Sequence, residues 1–183
     1  MSEFTYGNII RTADKAKLIE HLPSGTPLLP LGENWLAFFT TEDGELGASE
    51  ELEALSAHCP VLYFFHLEDH GWGFEIHHQG EIVSNLQVIY ELIGEDLGEL
   101  LDMNDQPLEL EDYENQNPDA EAFKLFGLDD AKIAAIQELL AGDLTFDEDD
   151  FVAVEQFKAL LGIEAMSWIR YDRTEDREEI EYV

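Results

Sequence analysis

The stretch that decides the fold is Val61-Leu-Tyr-Phe-Phe-His66-Leu-Glu-Asp-His70-Gly71-Trp72-Gly-Phe-Glu-Ile-His77-His78. Residues 61–67 and 72–78 are short runs rich in aromatic and aliphatic residues, and such runs predict strands. The residues between them, 68–71, combine an acidic pair with a glycine that can take a positive φ, as a tight turn requires. The stretch therefore predicts a β-hairpin.

Further short apolar runs extend this hairpin into a sheet. Residues 35–40 predict a buried strand before the hairpin, and residues 82–86 predict a third strand after the turn Gln79-Gly80-Glu81. Residues 166–171 predict a strand that returns to the sheet near the end of the chain. For residues 88–101 the apolar spacing fits both a strand and a helix, so both remain open.

Helices are predicted before the hairpin and in the last third of the chain. Residues 12–21 predict a short helix, and Ser49 is the expected N-cap of a second helix that ends near His58. Three later helices are expected, each beginning at a polar cap and ending at a glycine: 117–127, 129–142 and 149–162.

These elements predict a single α+β domain over residues 1–183. Its antiparallel sheet is a meander near 35–90 with a C-terminal strand near 166–171, packed against several helices. Residues 102–117 are acidic, polar and poor in core residues, which indicates a long loop or linker. Residues 172–183 are expected to form a charged tail.

The chain is strongly acidic, with 42 Asp and Glu against 9 Lys and Arg and a formal net charge of −33. Between Lys17 and Lys124 there is no Lys or Arg, while that block holds 24 carboxylates and all six histidines. Like charge repels nucleic acid and anionic membranes, so direct binding to either is not expected. The composition instead favours a basic protein as the partner.

The composition also bears on where the protein acts. Apolar residues make up 45% of the chain, which is enough to bury a core. No apolar run approaches the length of a membrane span, and the first residues lack the basic and apolar pattern of a secretory signal. Cys59 is the only cysteine, so no internal disulfide can form. We therefore expect a cytoplasmic protein.

No sequence motif for catalysis or for a bound cofactor is found, so no catalytic residue and no cofactor are predicted. Residues 143–150 are acidic enough to suggest a calcium loop. However, Glu148 and Val154 stand where an EF-hand loop needs glycine and glutamate. The acidity there is expected to serve the start of the following helix.

The histidines of the hairpin offer one alternative function. His66, His70, His77 and His78 lie on or beside the hairpin together with three carboxylates, and three such ligands could converge on zinc. A metal-dependent enzyme with its site on residues 61–78 is therefore an alternative. Because His77 and His78 point to opposite faces of a strand, we instead expect exposed histidines on a half-solvated sheet and no metal.

The partner-binding residues are predicted at and after the hairpin turn: Glu68, Asp69, His70, Trp72 and Glu75. An aromatic side chain surrounded by carboxylates has the composition of a binding hot spot for a basic partner. Side chains at a turn also reach outward from a rigid support.

Residues 55–90 resemble a segment of small uncharacterised acidic bacterial α+β proteins. The shared pattern is a helix, the strand Pro-Val-Leu-Tyr-Phe, an acidic turn, a Trp-Gly strand and a Gly-Glu turn. The ending, Phe157-Lys-Ala-Leu-Leu-Gly-Ile163 and then Trp168-Ile-Arg-Tyr171, is similar to their last helix and strand. Some of these proteins are immunity proteins, which neutralise a toxin.

The resemblance implies a fold, and the acidity adds an expected function. We expect a non-catalytic binding protein of the immunity or inhibitor type that neutralises or regulates a basic protein partner. A nucleic-acid mimic is a further alternative, for which the negative charge would have to be clustered on the surface.

Overall fold

The centre of the fold is an open antiparallel sheet. The computed structural model describes residues 3–44, 47–90, 116–144 and 151–183. Within these ranges the strands are β1 (Thr5–Arg11), β2 (Pro27–Leu31), β3 (Trp35–Phe38), β4 (Val61–His66), β5 (Gly71–His78), β6 (Glu81–Ile89) and β7 (Glu181–Tyr182). They pair in the order β6-β5-β4-β1-β3-β2-β7.

Helices cover the sheet on both faces. The α-helices are α1 (Lys15–Leu18), α2 (Glu51–Leu55), α3 (Asp130–Leu140) and α4 (Val152–Leu161). Short 3-10 helices occur at Thr12–Asp14, Ile19–His21, Ala120–Phe126 and Tyr171–Asp176. The α+β class predicted from the sequence is confirmed. In the described part of the chain, no helix has both the length and the apolar character that a membrane crossing requires.

The two faces of the sheet form separate cores. One core joins Leu62, Phe64 and Trp72 to α3, α4 and the 120–126 helix. The other joins Tyr63 and Phe65 to α1 and α2. Successive side chains of a strand point to opposite faces, and both faces of β4 are covered, so every position of β4 is buried. The unbroken apolar run at 61–65 thus reflects a strand covered on both sides.

The predicted hairpin is confirmed, with Val61 opposite His77 and His66 opposite Trp72. The third strand of the meander is also confirmed, and it continues to Ile89. Gly73 allows β5 and β6 to approach closely, because a Cβ at this position would lie 2.2 Å from the carbonyl oxygen of Leu86. A larger residue could not occupy this position without moving the strands.

The prediction of a strand at 166–171 is wrong. Trp168 has a φ of 54°, in the left-handed region, so the backbone there cannot remain extended. Ile169 touches the sheet through a hydrogen bond from the N–H of Tyr6 to its carbonyl oxygen (3.2 Å). The C-terminal strand is instead β7, which lies in the segment predicted to be a charged tail and pairs with β2.

Other boundaries also differ from the predictions. Ser49 does not cap α2, because its buried hydroxyl has no hydrogen-bond partner among the residues that the structure describes. The helix expected after Asn117 is a 3-10 helix capped by Asp119, whose carboxylate accepts the N–H of Glu121 (3.0 Å). Residues 91–115, which include most of the predicted acidic loop, and the predicted cap at Asp149-Asp150 lie outside the described residues.

The outer edge of β6 is partly closed by the segment that enters the 120–126 helix. The side-chain amide of Gln116 accepts the N–H of Gln87 (3.2 Å) and donates to its carbonyl oxygen (2.7 Å). Next to it, the N–H of Asn85 donates to the carbonyl oxygen of Asn117 (3.1 Å). The side chain of Gln116 and the backbone carbonyl of Asn117 therefore form hydrogen bonds that a neighbouring strand would otherwise form with β6.

Candidate functional site

The turn that joins β4 to β5 presents an acidic pair and a histidine. Glu68 has a φ of 50°, and the N–H of His70 closes the turn on the carbonyl oxygen of Leu67 (3.0 Å). Asp69 and His70 are exposed, with Asp69 Oδ1 at 3.6 Å from His70 Nε2. The imidazole of His70 stacks on Phe4, with ring centroids 5.9 Å apart. The turn is therefore supported from the N-terminal segment.

Glu3 connects this turn to the segment that follows α4. Its backbone N–H donates to Glu68 Oε2 (3.0 Å). Its own Oε1 accepts three hydrogen bonds, from the hydroxyls of Thr5 (2.9 Å) and Ser167 (2.8 Å) and from the N–H of Trp168 (2.9 Å). Burial alone would raise the pKa of Glu3, but these hydrogen bonds together hold it below its ordinary value. Glu3 is thus a buried carboxylate in its ionised form.

Trp168 is a large aromatic side chain held at the surface. It is 42% exposed, and its backbone adopts a left-handed conformation that is unfavourable for a residue other than glycine. The backbone on both sides is fixed, because Arg177 donates to the carbonyl oxygen of Ser167 and the N–H of Ile169 donates to Thr5 Oγ1 (3.3 Å). Strained residues held by their surroundings are concentrated at functional sites.

The structure corrects the expected position of Trp72. Its side chain is fully buried, packs on Phe157 with ring centroids 5.3 Å apart, and donates from Nε1 to the carbonyl oxygen of Leu144 (3.3 Å). Trp72 points to the same face as Phe74 and Ile76, so alternation along β5 directs it into the core beneath α4. It cannot contact a partner while the chain is folded.

The remaining predicted residue, Glu75, lies away from the turn. It sits on the face of β5 opposite to Trp72, and its Oε2 is 2.7 Å from Nε2 of the buried His77. The structure therefore brings Glu68, Asp69 and His70 together at the turn and leaves Trp72 and Glu75 elsewhere.

A buried polar group lies at the turn end of β4. His66 is 2% exposed, and its ring meets Phe151 edge-on. Among the described residues, neither ring nitrogen has a hydrogen-bond partner. Burial lowers the pKa of His66, and the nearby Lys158 lowers it further. The carboxylates of Glu3, Glu155 and Glu68 act in the opposite direction, but the pKa remains below its ordinary value. Lys158 is itself buried and pairs with Glu155 (Nζ–Oε1 2.6 Å).

The expectation of exposed histidines is therefore wrong for His66 and His77, which are both buried. They lie on opposite faces of the sheet, because His66 shares a face with Phe64 and His77 shares one with Val61. Within the ranges that the structure describes, no three His, Cys, Asp or Glu side chains are arranged to hold a metal ion. The geometry there gives no support to the alternative of a metal-dependent enzyme.

In the part of the chain that the structure describes, most carboxylates of the cation-free block have no Lys or Arg partner. The ion pairs of Lys and Arg there are Lys15–Glu181, Lys17–Asp14, Lys124–Glu121, Lys124–Asp130, Lys158–Glu155 and Arg170–Asp172. None of these pairs involves a carboxylate between residues 18 and 90. Exposed acidic residues in that range are Glu20, Glu33, Glu42, Glu50, Glu51, Glu53, Asp69 and Glu81.

Two residues of this site were missed by reasoning from sequence. Glu3 and Trp168 are 165 residues apart, and their contact is purely tertiary. An available signal for Trp168 was its position between Ser167 and the charged segment after residue 170, which is unusual for a buried strand. Comparison with protein-family models, with curated proteins and with solved structures gives no match for this chain.

Proposed function

We propose that this chain is a non-catalytic, cytoplasmic acidic protein that neutralises or regulates a basic protein partner, as an immunity or inhibitor protein does. The observation that carries the proposal is the set of exposed carboxylates between residues 18 and 90 that have no Lys or Arg partner in the described structure. Unneutralised carboxylates produce a negative field that attracts a cationic surface and raises its association rate.

The contact surface that we propose is the turn–Trp168 face, formed by Phe4, Glu68, Asp69, His70 and Trp168. Glu3 holds both halves of this face through hydrogen bonds to Glu68 and Trp168. Asp69 and His70 supply exposed polar groups, and Trp168 supplies the exposed aromatic anchor that Trp72 cannot provide. Because the backbone of the face is fixed before binding, little conformational entropy is lost on association.

The experiment begins with capture of partners from a lysate, followed by kinetics on the purified partner. Asp69→Lys reverses one exposed charge on the face. Glu81→Lys is its matched control, because it makes the same change of charge at an exposed site beyond the opposite end of the hairpin. We expect Asp69→Lys to slow association about three- to tenfold and to weaken its salt dependence, and Glu81→Lys to have a smaller effect.

A second variant tests the anchor. Trp168→Ala removes the indole but keeps the backbone N–H that Glu3 accepts. We expect it to raise the dissociation rate by about tenfold or more with little change in association. An acidic captured partner, or equal effects of Asp69→Lys and Glu81→Lys, would show that this face does not bind the partner.

A further inference from the structure

A polar pocket lies at the other end of the sheet, away from the turn–Trp168 face. Its volume is about 340 Å³, and it opens where β1 ends, β2 turns into β3, and α3 begins. The charged and aromatic side chains that line it are Arg11, Glu33, Trp35, Asp129 and Lys132. Pockets for small ligands begin at about 300 Å³, so this one fits a molecule of amino-acid size.

Two cations that line this pocket have no acidic partner in the described structure. Neither Arg11 nor Lys132 forms an ion pair in the described part of the chain, whereas five of the other seven Lys and Arg residues do. The chain has 42 carboxylates and only 9 basic residues, so each cation has many carboxylates available to it. Two unpaired cations in one place are therefore unexpected. Because both cations line one pocket, a bound negative group there can pair with each of them.

One wall of the pocket is aromatic. The guanidinium of Arg11 lies 4.8 Å above the ring of Trp35, which fixes the cation through a cation–π contact. Trp35 is buried and donates from Nε1 to the carbonyl oxygen of Leu161 (2.7 Å). Glycines at 32, 127 and 162 line the pocket without side chains, which keeps it open.

The pocket also carries negative charge. Glu33 is exposed, and Asp129 accepts the N–H of Lys132 (2.8 Å) as the N-cap of α3. A free anion would be repelled by these two groups and by the net charge of −33. A molecule with one positive and one negative group has no net charge to repel, and it can pair with both signs in the pocket.

We infer that this pocket binds a small zwitterion of the α-amino acid class. The carboxylate lies between Arg11 and Lys132, and the ammonium lies toward Glu33 and the Asp129 carboxylate. This inference is independent of the proposed function, because the pocket shares no residue with the turn–Trp168 face.

The indole N–H of Trp35 provides a direct probe of the pocket. The experiment titrates the ¹⁵N-labelled full chain with each neutral L-amino acid, and follows the Trp35 indole resonance together with calorimetry. We expect at least one amino acid to shift this resonance and to bind with a Kd in about the millimolar range or tighter. Its carboxylate-only and amine-only analogues should each bind at least about tenfold more weakly, because each leaves one set of charges unpaired.

Variants test the assignment of the cations. Arg11→Gln and Lys132→Gln should each weaken binding about tenfold. Lys124→Gln is the matched control, since Lys124 is already paired with Glu121 and lies outside the pocket, so it should bind as the wild type does. If Arg11→Gln does not fold, Arg11→Lys keeps the charge and Lys132→Gln, on an exposed helical position, still tests the site.

Two results would overturn the inference. One is that no neutral amino acid shifts the Trp35 resonance or gives heat of binding. The other is that the carboxylate-only analogue binds as tightly as the amino acid, which would make the pocket a simple anion site.

Discussion

Glu3 Oε1 lies 2.9 Å from the backbone nitrogen of Trp168, so a buried carboxylate near the start of the described chain holds an exposed aromatic residue 165 positions later. The same carboxylate accepts two hydroxyl hydrogen bonds, and the backbone of Glu3 holds the acidic turn. The geometry of the turn–Trp168 face therefore depends on the backbone and the side chain of one buried residue.

Substitutions of Glu3 should separate its charge from its hydrogen bonds. All three donors point to Oε1, so Glu3→Gln can keep an acceptor there, and we expect it to lower the free energy of unfolding by about 1 kcal/mol. Glu3→Ala leaves three donors without an acceptor and should cost about 3 kcal/mol. Urea denaturation at pH 7 measures both values.

The pH dependence provides the check on Glu3. Because the folded-state pKa of Glu3 is lowered, its stabilisation is complete above the ordinary value of 4.5 and is lost as the pH falls through the folded-state pKa. The difference in stability between wild type and Glu3→Gln should therefore shrink below about pH 4.5. A difference in stability that stays constant from pH 7 to pH 4 would mean that these hydrogen bonds do not stabilise the ionised form of Glu3.

Replacing His66 with an apolar residue of similar size should stabilise the protein. Both ring nitrogens of His66 are buried and have no hydrogen-bond partner in the described structure, and an unsatisfied buried polar group costs about 1–3 kcal/mol. We expect His66→Leu to raise the free energy of unfolding at pH 7 by about 1 kcal/mol, after allowance for imperfect packing. Chemical denaturation of the two proteins measures the difference.

The advantage of His66→Leu should grow in mild acid. Because the folded-state pKa of His66 is lowered, wild-type stability is lost as the pH falls from about 6.5, the unfolded-state value, toward the folded-state pKa. The leucine variant has no such group. A pH profile identical to wild type in His66→Leu would refute the assignment.

The three tryptophans should respond differently to substitution and to a quencher. Trp72→Ala removes a fully buried ring and should cost about 3–5 kcal/mol, whereas Trp168→Ala should cost less than about 1 kcal/mol. Acrylamide, which is neutral and is not repelled by the acidic surface, should quench mainly Trp168. Loss of the quenchable fluorescence in Trp168→Phe confirms this, and its persistence would place Trp35 or Trp72 at the surface.

Gly73→Ala should be severely destabilising. The added Cβ would lie 2.2 Å from the Leu86 carbonyl oxygen and 2.7 Å from the Phe65 ring, and neither backbone nor packed ring can move away freely. We expect a loss of about 3 kcal/mol or more, measured as a shift of the urea midpoint. Gly47→Ala is the control, since its nearest contact is a carboxylate oxygen at 3.4 Å, and should cost less than about 1 kcal/mol.

The hairpin and its faces show what could be predicted from the sequence. The aromatic runs and the turn glycine predicted β4, β5 and their pairing correctly, because these signals are local. The exposed face could not be identified, because helices cover both sides of the sheet and residues 61–65 of β4 are apolar without alternation. This is why Trp72 was predicted at the surface, whereas the structure buries it.

The elements that were missed depend on distant contacts. The strand β2, which contains Pro27 and Pro30, was not predicted. It lies beside the two-residue β7 at the edge of the sheet, where missing N–H donors cost little. Trp168 was assigned to a strand because its neighbours are apolar and aromatic. Its left-handed backbone is stabilised by a hydrogen bond to Glu3. A local sequence pattern cannot predict a contact between residues 165 positions apart.

The side-chain amide of Gln116 bonds both the backbone N–H and the backbone carbonyl of Gln87, and this affects how the protein aggregates in concentrated solution. An open sheet can recruit further copies at its outer strands and grow into a fibril. Here the β6 flank is partly covered by the 116–117 segment, and the other flank is a two-residue strand that carries Glu181. Addition of a further copy along the middle of β6 would therefore require the 116–117 segment to detach.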